Sequence, residues 1–154
     1  MHADERKEYQ RLRDKGWTAQ HALRSARINA VFWLAERDGL VKFEVVSDDE
    51  TPDVSYIDTW GVSRDEAAKL KKAELQRIDD EGAWGIVVHA RLGCGELHTI
   101  DSCWGFVGND WQDSGYDADL RITALTSIGA HAHATPNVKP ELEARLRALG
   151  WEKP

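Results

Sequence analysis

The residues best suited to chemistry lie in and near a short segment that the sequence predicts to be a β-hairpin. Thiolate and imidazole are ligands that Zn²⁺ prefers. The segment has no C-x-x-C or H-x-x-x-H pair, and strand alternation would point its two cysteines to opposite faces. The sequence therefore predicts no metal and no other cofactor. Should a metal bind, its candidate ligands are these: Cys94, His98, Asp101, Cys103, His131 and His133.

An enzymatic or ligand-binding site is the main alternative for these residues. It would use His89, His98 and Asp101 together with the histidines of the tail. A small hydrolase would also need a nucleophile beside its base, but nothing in the chain matches a nucleophile elbow. No catalytic residue is assigned, and enzymatic function remains an alternative.

A second group of polar residues lies in a loop bounded by Gly108 and Gly115. Tryptophan in a polar loop between glycines seldom belongs to a core, so we expect Trp111 to be exposed among carboxylates. Such an aromatic side chain could anchor a partner with a basic surface, while the carboxylates raise the association rate. The predicted binding residues are Trp111, Asp110, Asp113, Asn109, Tyr116 and Asp117.

Composition limits the class of protein. The chain has 154 residues, a formal net charge of −7 and a pI near 5.3. This charge argues against direct binding to nucleic acid, and no apolar run is long enough to cross a membrane. The N-terminus lacks the apolar region of an export signal, which favours a cytoplasmic location. Cys94 and Cys103 could pair across a hairpin, although the missing signal favours reduced thiols.

Apolar periodicity predicts an α+β fold, with a small, mostly antiparallel sheet of three to four strands packed against helices. We expect one domain over residues 1–154 with an N-terminal helical segment at 4–38. The predicted helices are 4–15, 18–37, 63–81, 118–129 and 140–149, and the predicted strands are 40–46, 54–60, 84–92 and 97–107. Ser63 with Glu66 has the spacing of a capping box, and Asp117 could cap the fourth helix.

Seven tryptophans are many for a chain of this length. Trp60, Trp84 and Trp104 each precede a glycine in or near a predicted strand. Indole rings on strands fill large core volumes, and an adjacent glycine lets another ring approach closely. The three Trp-Gly pairs therefore predict core packing.

The middle and C-terminal half of the chain resembles a family of small phage and prophage proteins of unknown activity. The resemblance is carried by the segments at 56–60, 81–87, 101–108 and 114–117, and the Asp-Ser-Cys-Trp-Gly-Phe run at 101–106 is its most specific part. It implies a genomic setting and no catalytic residues.

The resemblance suggests a non-enzymatic accessory protein in the cytoplasm of a bacterial host. Such a protein would bind and inhibit a host protein with a basic surface, for which a CRISPR or restriction complex is one candidate. Self-association as a structural homodimer, through strand edges and tryptophans, is a further hypothesis.

Overall fold

The computed structural model describes residues 1–131 and 136–154. Within these residues the fold class is α+β, as predicted, with five helices and a three-stranded antiparallel sheet packed against them. The helices are α1 (Ala3–Asp14), α2 (Ala19–Arg37), α3 (Arg64–Glu81), α4 (Tyr116–Ser127) and α5 (Pro140–Ala148), the strands are β1 (Val41–Ser47), β2 (Ala83–Arg91) and β3 (Leu97–Val107), and two short 3₁₀ helices span Ser55–Thr59 and Asp110–Asp113.

Local capping fixes where the long helices begin. Thr18 accepts a hydrogen bond from the His21 backbone N–H at 3.3 Å at the start of α2. Ser63 accepts one from the Glu66 N–H at 3.2 Å at the start of α3, as the capping spacing predicts. The fourth helix differs from prediction, because its N-cap is Gly115 and Asp117 lies within its first turn.

The three strands pair in the order β1-β2-β3. Alternate residues of β2, Ile86, Val88 and Ala90, belong to the main core together with side chains of α2, α4 and α5. Phe32 of α2 is fully buried in the same cluster. The sheet thus buries one face under α2 and α4, and α5 packs against α2 in the same cluster, an arrangement expected for an α+β fold.

The predicted strand at 54–60 is wrong. Residues Ser55–Thr59 form a 3₁₀ helix. The Asp53 carboxylate accepts hydrogen bonds from both the backbone N–H and the hydroxyl of Ser55, and Thr59 donates its hydroxyl to the Tyr56 carbonyl. Short polar side chains that satisfy nearby backbone groups compete with strand pairing.

The expectation that all three Trp-Gly tryptophans fill core volume is also wrong. Trp60 is 56% exposed and Trp104 is 48% exposed. The expected role of an adjacent glycine holds at Gly85, where an added Cβ would lie 2.2 Å from the Trp104 ring. Trp104 therefore lies flat over the β2 backbone with its outer face free.

Both edges of the sheet have features that discourage pairing with another strand. On β1, the outward-facing Phe43 N–H donates to the Glu36 carboxylate at 3.0 Å. On β3, the register with β2 shifts at two places, between the partners of Trp84 and Ile86 and between those of Val88 and His89. Capped edge groups and bulges are common means of protecting strand edges. The homodimer stays a prediction, for which light scattering over a concentration range is the test.

In the ranges 1–131 and 136–154, no helix is both long and apolar enough to cross a bilayer.

Candidate functional site: a cleft between two tryptophans

The loop predicted to bind a partner is held against the body of the protein. Trp111 lies in the 3₁₀ helix Asp110–Asp113 and is partly buried against the main core. Its ring centroid is 5.3 Å from that of Phe43 on β1. The expectation of an indole standing free in water is therefore wrong, because β1 supplies an aromatic surface that the indole covers.

Two acidic residues of the loop are paired with cations from distant helices. Asp110 accepts a hydrogen bond from Arg77 of α3, and Asp113 accepts one from Lys15, just after α1, at 3.2 Å. The Asp110 carboxylate raises the pKa of Arg77 above its usual value. These pairs tie the loop down at two points, and they leave less uncompensated negative charge than the sequence suggests.

The remaining predicted residues have different environments. Asn109 is exposed. Tyr116 is largely exposed, with its ring centroid 6.2 Å from that of Phe106. Asp117, in contrast, is only 7% exposed. Burial raises the pKa of Asp117, an effect that the positive charge of Arg121 opposes. Asp117 therefore cannot contribute to an exposed acidic patch.

Asp117 belongs instead to a buried polar network that connects α1, α2 and α4. Arg121 Nη1 donates to Asp117 Oδ2 and to Asn29 Oδ1, both at 2.9 Å. Asn29 Nδ2 donates to Glu8 Oε1 at 3.1 Å, and Arg11 binds both carboxylate oxygens of Glu8 at 2.7 and 2.8 Å. A chain of charged and neutral hydrogen bonds thus joins three helices inside the protein.

Arg121 is the centre of this network. It is 7% exposed, and its guanidinium carbon lies 4.3 Å from the centroid of the Phe43 ring, a cation–π distance. Burial lowers the pKa of Arg121, while the Asp117 and Glu8 carboxylates oppose that shift. In the described part of the chain, the buried Nε–H of Arg121 has no hydrogen-bond partner. Such a donor is costly in a native structure unless water or a ligand satisfies it.

The network opens to solvent through a small cleft. The cleft has a volume of about 200 Å³, and Trp33, Trp111 and Gln112 line it together with the five network residues. We call it the tryptophan cleft. Trp33, on α2, is 40% exposed. An aromatic wall with a few convergent polar groups is the usual composition of a binding site.

The tryptophan cleft can accommodate a planar or aliphatic group that carries a hydrogen-bond acceptor. The indoles of Trp33 and Trp111 supply apolar contact area, and Arg121 supplies part of a polar wall. The formal charges of Glu8, Asp117, Arg11 and Arg121 cancel one another. A neutral acceptor such as a carbonyl therefore suits the site better than a second cation, which would approach two guanidinium groups.

Cys94 and His98, two of the candidate metal ligands, are brought together at the hairpin turn. Cys94 Sγ lies 3.1 Å from His98 Nε2, and Glu96 is close to both. Cys103 is separate, since it lies on β3 opposite Ile86 and is partly buried, which raises the pKa of its thiol. Both thiols are free.

Of the two histidines in the tail, only His131 lies within the described residues. His131 is exposed and follows Ala130, whose carbonyl accepts a hydrogen bond from the Gly93 N–H at 3.4 Å. The backbone at His131 thus passes beside the hairpin turn. His133 lies outside the described residues.

Among the described residues of the enzymatic alternative, His89, His98 and Asp101 do not form one group. His89 bridges two strands, with Nε2 3.1 Å from Glu44 Oε2 and Nδ1 3.2 Å from the Thr99 hydroxyl. His98 contacts Cys94, and Asp101 accepts a hydrogen bond from the Ser102 N–H. Hydrogen bonds from Lys42 and His89 lower the pKa of Glu44.

Sequence reasoning missed most of the residues that line the tryptophan cleft. The sequence does contain one indication of the buried network. Asp117 and Arg121 have the i, i+4 spacing of an ion pair, and both lie among apolar residues of α4. Asn29 likewise interrupts an apolar arc of α2. Buried polar residues of this kind indicate a network, but no pattern in the sequence shows that α1 contributes Glu8 to it.

Comparison of the chain with protein-family models, with curated proteins and with solved structures finds no match. The candidate function accordingly rests on the geometry of the chain itself.

Proposed function

We propose that the chain is a non-enzymatic binding protein that docks onto another protein through the tryptophan cleft. The observation that carries the proposal is a cleft lined by Trp33, Trp111 and Arg121, in which Trp33 is 40% exposed and the buried Arg121 side chain is held in place by Asn29 and Asp117. A partner that inserts a neutral polar group there would cover the indoles and lie against the Arg121 side chain.

The composition of the cleft matches that of binding hot spots. Residues that dominate the energy of protein interfaces are enriched in tryptophan and arginine and lie in pockets that become fully desolvated. Trp33 offers an exposed ring, whereas Arg121 is already desolvated and held in place by Asn29 and Asp117. A preorganised donor loses little conformational entropy on binding, so the contact is favourable.

The charge of the protein supports a basic partner. A net charge of −7 attracts cationic surfaces over a distance and raises their association rate. The group that enters the tryptophan cleft itself would be neutral, such as a main-chain carbonyl or an amide side chain. The phage resemblance suggests a host protein, and a CRISPR or restriction complex fits because its nucleic-acid groove is basic.

The test compares tryptophans inside and outside the cleft. Tagged wild-type protein and the variants Trp33→Ala, Gln112→Ala and Trp60→Ala are used to capture partners from lysate of the bacterial host. We expect a specific host protein to bind the wild type, and Trp33→Ala to weaken its capture by about thirtyfold, the effect of a hot-spot residue worth about 2 kcal/mol.

The control variant is Trp60→Ala, because Trp60 is more exposed than Trp33 and does not line the tryptophan cleft. Equal loss of capture in Trp33→Ala and Trp60→Ala, or full capture by Trp33→Ala, would refute the assignment of the cleft. Circular dichroism establishes that each variant is folded.

A second candidate function, a small hydrolase, is favoured by the contacts of His89. A hydroxyl, an imidazole and a carboxylate lie in series in Thr99, His89 and Glu44, the order in which a base activates a nucleophile. Release of nitrophenol from short-chain nitrophenyl esters tests it. Activity that is lost in both Thr99→Val and His89→Gln would support hydrolysis, and activity unchanged in these variants would exclude this triad.

A further inference from the structure

The turn between β2 and β3 presents three side chains of different types to one point in space. Cys94, Glu96 and His98 each offer a ligand atom, and these atoms all lie within 4.8 Å of one another. All three residues are exposed. Cys94 and Glu96 belong to the turn itself and His98 is the second residue of β3, so the fold of the turn brings the three side chains together.

Hydrogen bonds hold the turn in a defined shape. The Leu92 N–H donates to the Glu96 carbonyl at 3.0 Å, and the Gly95 N–H donates to the Leu92 carbonyl at 2.9 Å. The Arg91 guanidinium donates to the Gly95 carbonyl and, at 2.9 Å, to the Gly39 carbonyl that precedes β1. The backbone that carries the three side chains is thus fixed to the sheet on both sides.

The geometry points to a divalent transition-metal site at this turn. We propose that Cys94 Sγ, His98 Nε2 and a Glu96 carboxylate oxygen bind one Zn²⁺, with water as the fourth ligand. Zn–S bonds of about 2.3 Å and Zn–N bonds of about 2.0–2.1 Å at a tetrahedral angle place S and N about 3.5 Å apart. The distance from Sγ to Nε2 is 3.1 Å. Small side-chain rotations that separate the two atoms by a few tenths of an ångström bring them to the distance that Zn²⁺ requires.

The mixture of ligand types decides which ion fits. Thiolate and imidazole select borderline and soft metals, whereas Mg²⁺ and Ca²⁺ prefer sites built from oxygen. Cys94 binds as the thiolate, so each Zn²⁺ that binds displaces the thiol proton into solvent. Because all three protein ligands are exposed, the fourth coordination position faces water.

Titration of metal-free, reduced protein with Zn²⁺ and with Co²⁺ tests the site. We expect one Zn²⁺ per chain by calorimetry, with proton release that shows as a dependence of the binding heat on the buffer. Co²⁺ should give a thiolate-to-metal charge-transfer absorption. Cys94→Ser and His98→Gln should each weaken Zn²⁺ binding at least tenfold, and Cys94→Ser should remove the charge-transfer absorption.

Matched controls are Cys103→Ser and His21→Gln, which remove a thiol and an imidazole outside the turn. They should leave the affinity and the absorption unchanged. No saturable binding to the wild type, or equal effects of Cys94→Ser and Cys103→Ser, would overturn the proposal. Because the ligands are exposed, loss of folding is not expected in either turn variant, and circular dichroism checks this.

Discussion

Replacement of Arg121 by methionine tests how far the buried network stabilises the fold. The change Arg121→Met keeps an unbranched side chain of similar length but removes the positive charge. It leaves the Asp117 carboxylate, 7% exposed, without its ion-pair partner, and it leaves Asn29 Oδ1 without its donor. The cation–π contact with Phe43 is lost as well.

The expected cost follows from these losses. Removing one partner of a buried ion pair costs about 3–5 kcal/mol. Asp117 lies in the first turn of α4, where the helix dipole still stabilises a negative charge. We therefore expect Arg121→Met to lower the free energy of unfolding by the low end of this range, about 3 kcal/mol. For a chain of this size, that value corresponds to a decrease in Tm of about 6–12 °C.

A double variant separates the buried charge from lost packing. Arg121→Met with Asp117→Asn removes both charges while preserving the shape of the acidic side chain. We expect the double variant to be about 1–2 kcal/mol more stable than Arg121→Met alone at pH 7, because the unpaired buried carboxylate is then absent. The measurement is urea unfolding followed by circular dichroism.

The buried Asp117 carboxylate also determines the direction in which the stability of Arg121→Met changes with pH. Without Arg121, the attraction that opposes burial is gone, so the pKa of Asp117 in the folded protein rises further above its unfolded value. Arg121→Met should then gain stability, relative to the double variant, as pH falls from 7 to 5. A single variant within about 1 kcal/mol of wild type, or a double variant less stable than the single one, would refute this account of the network.

Three further changes test local features of the fold. Hydrogen bonds from Arg11 and Asn29 keep the pKa of Glu8 below its usual value despite burial. Ionised Glu8 therefore stabilises the fold above its unfolded pKa, and this contribution is lost as pH falls through the folded pKa. The free energy of urea unfolding of Glu8→Gln should depend less on pH between about 5 and 3 than that of wild type. Gly85→Ala places a Cβ against the Trp104 ring and should cost about 1–3 kcal/mol in thermal unfolding, whereas Gly85→Ala with Trp104→Ala should recover part of that loss. Ser63→Ala should cost about 1 kcal/mol through the lost cap of α3, and no measurable change would contradict the hydrogen bond to the Glu66 N–H.

The helices and the hairpin could be predicted because their signals are local. Caps such as Thr18 and Ser63 act within one turn, and the alternation along β2 reports directly which side chains meet the helices. The stretch at 54–60 was mistaken for a strand because its side-chain to backbone hydrogen bonds, such as that from Ser55 to Asp53, are invisible to a hydropathy pattern.

The exposure of the tryptophans could not be predicted from their neighbours in sequence. Trp111 has polar neighbours yet covers Phe43 of a distant strand, while Trp60 and Trp104 have strand-like neighbours yet face solvent. Whether an indole is buried depends on which surface the folded chain brings opposite it. The same reason explains why the loop carboxylates of Asp110 and Asp113 could not be matched with Arg77 and Lys15.

The most direct test of the tryptophan cleft is to follow the seven indole N–H signals of the protein by NMR while the captured host protein is added. Single Trp→Phe substitutions assign each signal. If the cleft is the docking site, the signals of Trp33 and Trp111 shift or broaden on binding while that of Trp60 stays in place. Binding that moves the Trp60 signal and leaves those of Trp33 and Trp111 unchanged would contradict the central claim.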